Sequence, residues 1–135
     1  MIIIIGSVVV LTGLGVGGYF YFADAHQAKT PKPLTASELK QLRVDLPTNT
    51  TNLKDGLVQF SISLQAKDTN SKQELDDMMP VVQDVINRTM RQFTKADLIA
   101  PGGYDRLEEA IQASINQALK TGQVTHVYFS AIVVQ

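Results

Sequence analysis

The sequence predicts an α+β chain: one N-terminal transmembrane helix, then a small antiparallel sheet with two helices on one face, in the order β-β-α-α-β. Three observations carry that expectation. Residues 2–23 hold no charged side chain. Residues 58–66 alternate apolar and polar without a break, the period of a strand with one buried face. Two later stretches repeat apolar residues every three or four positions, the period of an amphipathic helix.

The apolar run comes first. At a rise of about 1.5 Å per residue it spans roughly 30 Å, the thickness of a bilayer's hydrocarbon core. A cleaved signal peptide would open on basic residues and carry a shorter apolar region of about 7–15 residues; neither holds here. Gly13-Leu14-Gly15-Val16-Gly17-Gly18 spells the G-x-G-x-x-G fingerprint of dinucleotide sites. That fingerprint needs an amphipathic helix behind it, with its amides on the pyrophosphate. Here Tyr19-Phe20-Tyr21-Phe22 follows, then a polar stretch with prolines, and no second βα unit. An uncleaved anchor over residues 1–23 explains more. Gly13 and Gly17 form a small-xxx-small pair suited to helix packing. Tyr19, Phe20, Tyr21 and Phe22 form an aromatic belt at one interface. Lys29 and Lys32 follow the run and no Lys or Arg precedes it. Read alone, the positive-inside rule puts the domain in the cytoplasm. The opening Met1-Ile2-Ile3 leads us to expect basic residues ahead of it, so the count weighs little.

Residues 24–34 read as a linker stiffened by Pro31 and Pro33. Residues 35–135 then form one domain with room for one core. Leu42, Val44 and Leu46 alternate with polar residues, predicting a strand that Pro47 ends. Asp55-Gly56 signals a turn. Val58, Phe60, Ile62, Leu64 and Ala66 then mark the clearest strand, and the two strands are expected to pair antiparallel. Leu75, Met78, Met79, Val82, Ile86, Met90 and Phe93 predict a helix. Pro80 requires that it start near Met79 or that two pieces meet there. Leu107, Ala110, Ile111, Ile115, Ala118 and Leu119 predict a second helix, with Gly122 as its C-terminal cap. Val124 to Val134 place apolar groups on both faces, which predicts a strand central to the sheet.

Chemistry is sparse. Twelve basic and 13 acidic side chains give a net charge of −1. They are scattered, which argues against a nucleic-acid stripe. With no cysteine there is no disulfide, thiolate nucleophile or cysteine-based zinc site. His26 and His126 have no neighbour with which to form a catalytic pair. Asp76-Asp77 and Glu108-Glu109 are expected in early helical turns, where carboxylates favour the dipole. Thr48, Thr50 and Thr51 are expected in a turn-rich stretch with no base beside them. Asn49-Thr50-Thr51 and Asn87-Arg88-Thr89 are glycosylation sequons in form only. Gly102-Gly103 lacks the Lys and hydroxyl of a phosphate cradle. We expect no enzyme, with no catalytic, metal or cofactor-binding residue and no cofactor.

The C-terminal half carries a more specific pattern. Leu98-Ile99-Ala100-Pro101-Gly102-Gly103, Ile115-Asn116, Gly122-Gln123-Val124 and the closing Val127-Tyr128-Phe129-Ser130-Ala131-Ile132-Val133-Val134-Gln135 resemble the FliL family of flagellar basal-body-associated membrane proteins. Thr51-Asn52-Leu53-Lys54-Asp55-Gly56 resembles the family's turn before its long strand. The residues carrying the motif are Asn52, Leu53, Gly56, Asn116, Gly122, Val127, Tyr128, Phe129 and Gln135. Two positions depart from the pattern: Gly102-Gly103 stands where Glu is usual, and Ala100 where a capping Ser or Thr is usual. The resemblance implies a domain similar to the stomatin/prohibitin (SPFH) core. It implies a single-pass protein of the cytoplasmic (inner) membrane at the flagellum basal body, N-terminus inside and C-terminal domain outside. It also implies self-association into a ring around the MotA/MotB-type stator complex, supporting stator retention, torque and motility. A general stomatin-like scaffold without a motor role is the alternative. Either way the partners are the lipid bilayer and other proteins, not nucleic acid.

Overall fold

The computed structural model describes residues 32–135. Its elements run α1 (Ala36–Gln41), β1 (Arg43–Asp45), β2 (Asn49–Asn52), β3 (Leu57–Ala66), α2 (Thr69–Asp77), α3 (Met79–Met90), α4 (Lys95–Ile99), α5 (Gly103–Ala118) and β4 (Val124–Val134). Each helix start has a local cause. Thr35 and Glu38 form a capping box that opens α1, and Thr94 and Asp97 form another at α4. Asp68 accepts from the Ser71 amide at 2.8 Å and caps α2. Pro80 lies in the first turn of α3, where its missing N–H costs nothing.

The sheet is built on β3. It pairs antiparallel with β1 through Arg43↔Gln65 to Asp45↔Ser63, and with β2 through Asn49↔Phe60 to Asn52↔Leu57. β4 runs antiparallel along the full length of β3, from Val58↔Val134 to Ala66↔Val124. A strand has two edges, so β1 and β2 lie end to end on the one opposite β4. They form one edge strand interrupted at Pro47, which has no N–H to give a ladder. Leu46 still donates to the Ile62 carbonyl at 2.9 Å just before the break.

The inward side chains of β3, from Val58 to Ala66, are buried with Leu75, Val82, Ile86, Met90, Leu98, Leu107, Ile111 and Ile115 of the helices. Each large side chain buried this way contributes about 1.5–3 kcal/mol before entropy is counted. On the opposite face β3 is polar from Gln59 to Gln65, with Tyr128 and Val133 of β4 exposed beside it, and α1 covers one end: the Gln65 amide donates to the Leu39 carbonyl at 3.1 Å.

Several expectations need correction. The order is not β-β-α-α-β: four strands and five helices are present among the described residues. The stomatin/prohibitin-like core implied by the resemblance finds no support in this order. The transmembrane helix predicted over residues 1–23 lies outside the described residues, and among those described no helix is long and apolar enough to cross a membrane. β2 occupies the stretch of Thr50 and Thr51 expected to be turn-rich. Of the two outcomes that Pro80 left open between Leu75 and Phe93, the structure has two helical pieces meeting at Met78. Asp76 and Asp77 end α2, where Lys72 and Gln73 hold them at 2.7 and 3.0 Å. Gly122 is not a cap: Leu119 takes that position.

Among the described residues β4 is also not central, because β3 alone of them pairs with it. Register shifts at Ser61/Ile62 and Gln65/Ala66 account for the apolar residues that the sequence places on both faces. Thr125 and Ser130 are extra residues in β4, and each resets the alternation. Val124, Val127, Phe129, Ile132 and Val134 therefore share the inward face, opposite Ala66, Leu64, Ile62, Phe60 and Val58.

Candidate functional site

Gly13, Gly17, Tyr19, Phe20, Tyr21 and Phe22 lie outside the described residues. The other motif residues gather at the two ends and along the middle of the β3–β4 pair.

At one end the chain terminus meets the β2–β3 turn. The Leu53 amide donates to the Gly56 carbonyl at 2.8 Å, with Leu53 buried and Asn52 opposite Leu57. Leu57 and Gln135 exchange hydrogen bonds of 3.0 and 2.8 Å. A Cβ at Gly56 would run into the Gln135 carbonyl oxygen, so glycine here serves close approach rather than a special φ. The same turn holds the α3–α4 junction, through Lys54 N–H to Phe93 O at 2.9 Å and Lys95 N–H to Asp55 Oδ1 at 2.8 Å.

At the other end Asn116 pairs with the start of β4. Its amide donates to the Val124 carbonyl at 3.0 Å and accepts from the Val124 N–H at 2.7 Å. Gln112 adds bonds to the Val124 and Thr125 carbonyls at 3.1 and 2.8 Å. Glu74 closes the α5–β4 loop: its carboxylate accepts from the Lys120, Thr121 and Gly122 amides and from the Thr121 hydroxyl. The Lys120 amide is the chief cause, with the Thr121 hydroxyl next, of a Glu74 pKa held down to about 2. A Cβ at Gly122 would sit 3.0 Å from both Ser71 Cα and this carboxylate. No local signal announces Glu74, because its partners lie more than forty positions along the chain.

Along the middle, Val127 is buried against Leu64, and Phe129 meets Phe60 edge to face at 6.3 Å. Tyr128 faces outward, 47% exposed, its ring parallel to that of His126 at 5.8 Å.

Three of the clefts among the described residues bear on the site. One of about 170 Å³ lies between the Pro47 break and α3, with Phe60, Gln83 and Ile86 on its wall. Asn49 and Asn87, the two sequon asparagines, bond to each other at 3.2 Å beside it. A second, of about 580 Å³, lies between α1 and the polar face, bounded by Leu39, Lys40, Arg43 and Tyr128. The third, of about 350 Å³, brings Asp105, Glu108 and Glu109 beside Thr125 and His126. Most other carboxylates are occupied. Ser63 and then Arg43 hold the Asp45 carboxyl below its usual range, and the Thr94 amide does the same for Asp97. Burial pushes the Glu108 carboxyl up, although it accepts from the Phe129 N–H. Among the described residues no three metal-ligating side chains converge. What these surfaces offer is hydrogen bonding, charge and strand edges.

The profile of the family described as flagellar basal body-associated protein FliL matches residues 38–135, nearly the whole described domain. A flagellar protein FliL of Bacillus subtilis (strain 168) is 26% identical over 123 residues, covering 90% of this chain and 87% of that protein. A flagellar protein FliL of Aquifex aeolicus (strain VF5) is 30% identical over 77 residues, covering 57% of this chain and 48% of that protein.

Proposed function

Since the chain belongs to the FliL family of flagellar basal body-associated proteins, we propose that it is an accessory of the flagellar motor that acts by protein contact at the membrane. The observation that carries this reading is the match over residues 38–135. It takes in every strand of the sheet and both of the hydrogen-bonded ends where the motif residues gather.

In this reading the uncharged run at residues 2–23 tethers the domain to the inner membrane. Residues 24–34 space it from the bilayer on the extracytoplasmic side. Confinement to two dimensions raises the effective concentration of identical domains. Weak head-to-tail contacts between them then suffice to close a ring. The ring surrounds a stator unit and retains it in the motor. The domain's surfaces, rather than a reaction centre, do the work.

The test is gentle affinity purification of the tagged full chain from its native membrane, with mass spectrometry of the eluate. Stator subunits above an untagged control are expected. A fluorescent fusion should form foci at flagellar bases. Self-association with no stator subunit, together with an even membrane signal, would overturn the motor role.

A further inference from the structure

Register decides which backbone groups of β4 are already used. The mutual Leu57–Gln135 bonds make that pair a hydrogen-bonded one. In an antiparallel ladder such pairs alternate with pairs that exchange no bond. Val133, opposite Gln59, is therefore tied to β3, whereas Val134 and Ile132 turn their N–H and C=O groups outward. The other edge of β3 agrees: Ile62 accepts there from Leu46, and Ala66 donates to Leu42.

Among the described residues no strand pairs with this outer edge of β4. Side chains of α5 occupy its first part, where Asn116 and Gln112 bond at Val124 and Thr125 and Glu108 accepts from the Phe129 N–H, and they leave Ile132 and Val134 open. Residues 124–134 contain no charged side chain and no proline. The opposite edge of the sheet has both, in Arg43, Asp45 and Pro47. Charges and prolines are the usual protection of a strand edge, and an edge without them is a template for another strand.

The charge beside the edge says what kind of strand fits. Asp105, Glu108 and Glu109 of α5 line a cleft with Thr125, His126 and Val127 at the start of β4. The Lys/Arg–carboxylate ion pairs among the described residues are Arg43–Asp45, Lys72–Asp76 and Arg88–Asp84, so these three carboxylates have no cationic partner there. We infer that β4 accepts an extended segment of a partner protein as an added strand, uncharged where it pairs with Ile132 and Val134 and basic where it reaches Asp105, Glu108 and Glu109. Main-chain hydrogen bonds would supply affinity and the carboxylates direction. At about 3.4 Å per residue, a segment of about nine residues spans the cleft and the free edge.

This inference does not depend on the motor reading. The test uses the full chain in nanodiscs with labelled nine-residue peptides that alternate Val and Thr. One set ends in two lysines, at either terminus, and a matched set carries glutamates instead. One lysine peptide should bind at least tenfold more tightly than its glutamate counterpart. Amide exchange at Ile132 and Val134 should slow with it bound. The pair Asp105→Asn and Glu109→Gln should remove that preference while exchange elsewhere is unchanged, which separates lost charge from lost folding. Equal binding of the two peptides, or unaltered exchange at Ile132 and Val134, would overturn the inference. Protection of those amides without peptide, growing with protein concentration, would also overturn it by placing a second copy on the edge.

Discussion

Asn116 does for Val124 what a neighbouring strand would do. Its amide meets both backbone groups of that residue from α5, so the first residue of β4 enters the core with no polar group unpaired. Asn116→Leu leaves the buried Val124 N–H without its acceptor, while Gln112 still serves the carbonyl. We predict a loss of about 1–3 kcal/mol, read as a lower urea midpoint with an unchanged slope. Glu74 acts on the same loop and brings a pH dependence. Its folded pKa is about 2 against an ordinary value of 4.5. Because the folded value is the lower one, the stabilisation is fully present above pH 4.5 and is lost as pH falls towards 2. Glu74→Gln should flatten the stability curve in that window, measured by thermal unfolding at stepped pH; an unchanged slope would mean that other carboxylates set it. Asn116 stood out in the sequence because it belongs to a motif. Glu74 did not, because a carboxylate closing a distant loop leaves no local period or spacing.

At the scale of elements, periodicity served where the backbone was regular and misled where it was not. β3 alternates without a break and was legible from its side chains alone. The pair α2 and α3 was legible as helical, and Pro80 marked their junction. β4 was legible as a strand, but its place in the sheet was not, since two inserted residues mimic apolarity on both faces. The short elements α1, β2 and α4 lack enough residues to display a period, although Thr35/Glu38 and Thr94/Asp97 spell their capping boxes. The bulge makes a sharp prediction. Phe129 and Ala131 oppose consecutive residues of β3, Ile62 and Ser61, so deleting Ser130 leaves both halves of β4 in register. Deleting Ile132 instead turns Val134 outward and breaks the Leu57–Gln135 pair. The second deletion should cost more than the first by at least about 1 kcal/mol, compared by chemical denaturation. Equal costs would mean that the extra residue at 130 is itself required.

At the scale of the whole molecule, the last strand completes the sheet. β3 pairs with residues from the far end of the domain, so its inward face is closed only when the C-terminus returns. Val124 and Val127 are buried, and Phe129, Ile132 and Val134 pack against the same core. Asn116, Gln112 and Glu74 hold one end of the strand, and the β2–β3 turn holds the other. The motif residues of the C-terminal half thus occupy the joints of this closure, and a family can share such joints while its surfaces diverge to meet different partners. Contacts so distant in sequence reward the chain late, after most of the loop entropy is spent. Removing residues 124–135 therefore uncovers one side of β3 and strips its helices of a floor, rather than trimming an edge. We predict that residues 32–135 alone melt in one cooperative transition, whereas residues 32–123 show none and bind a hydrophobic dye at room temperature. A cooperative melt of the shorter fragment would show that β1, β2 and the helices close a core without β4. The free edge of β4 would then belong to a strand that is dispensable for folding.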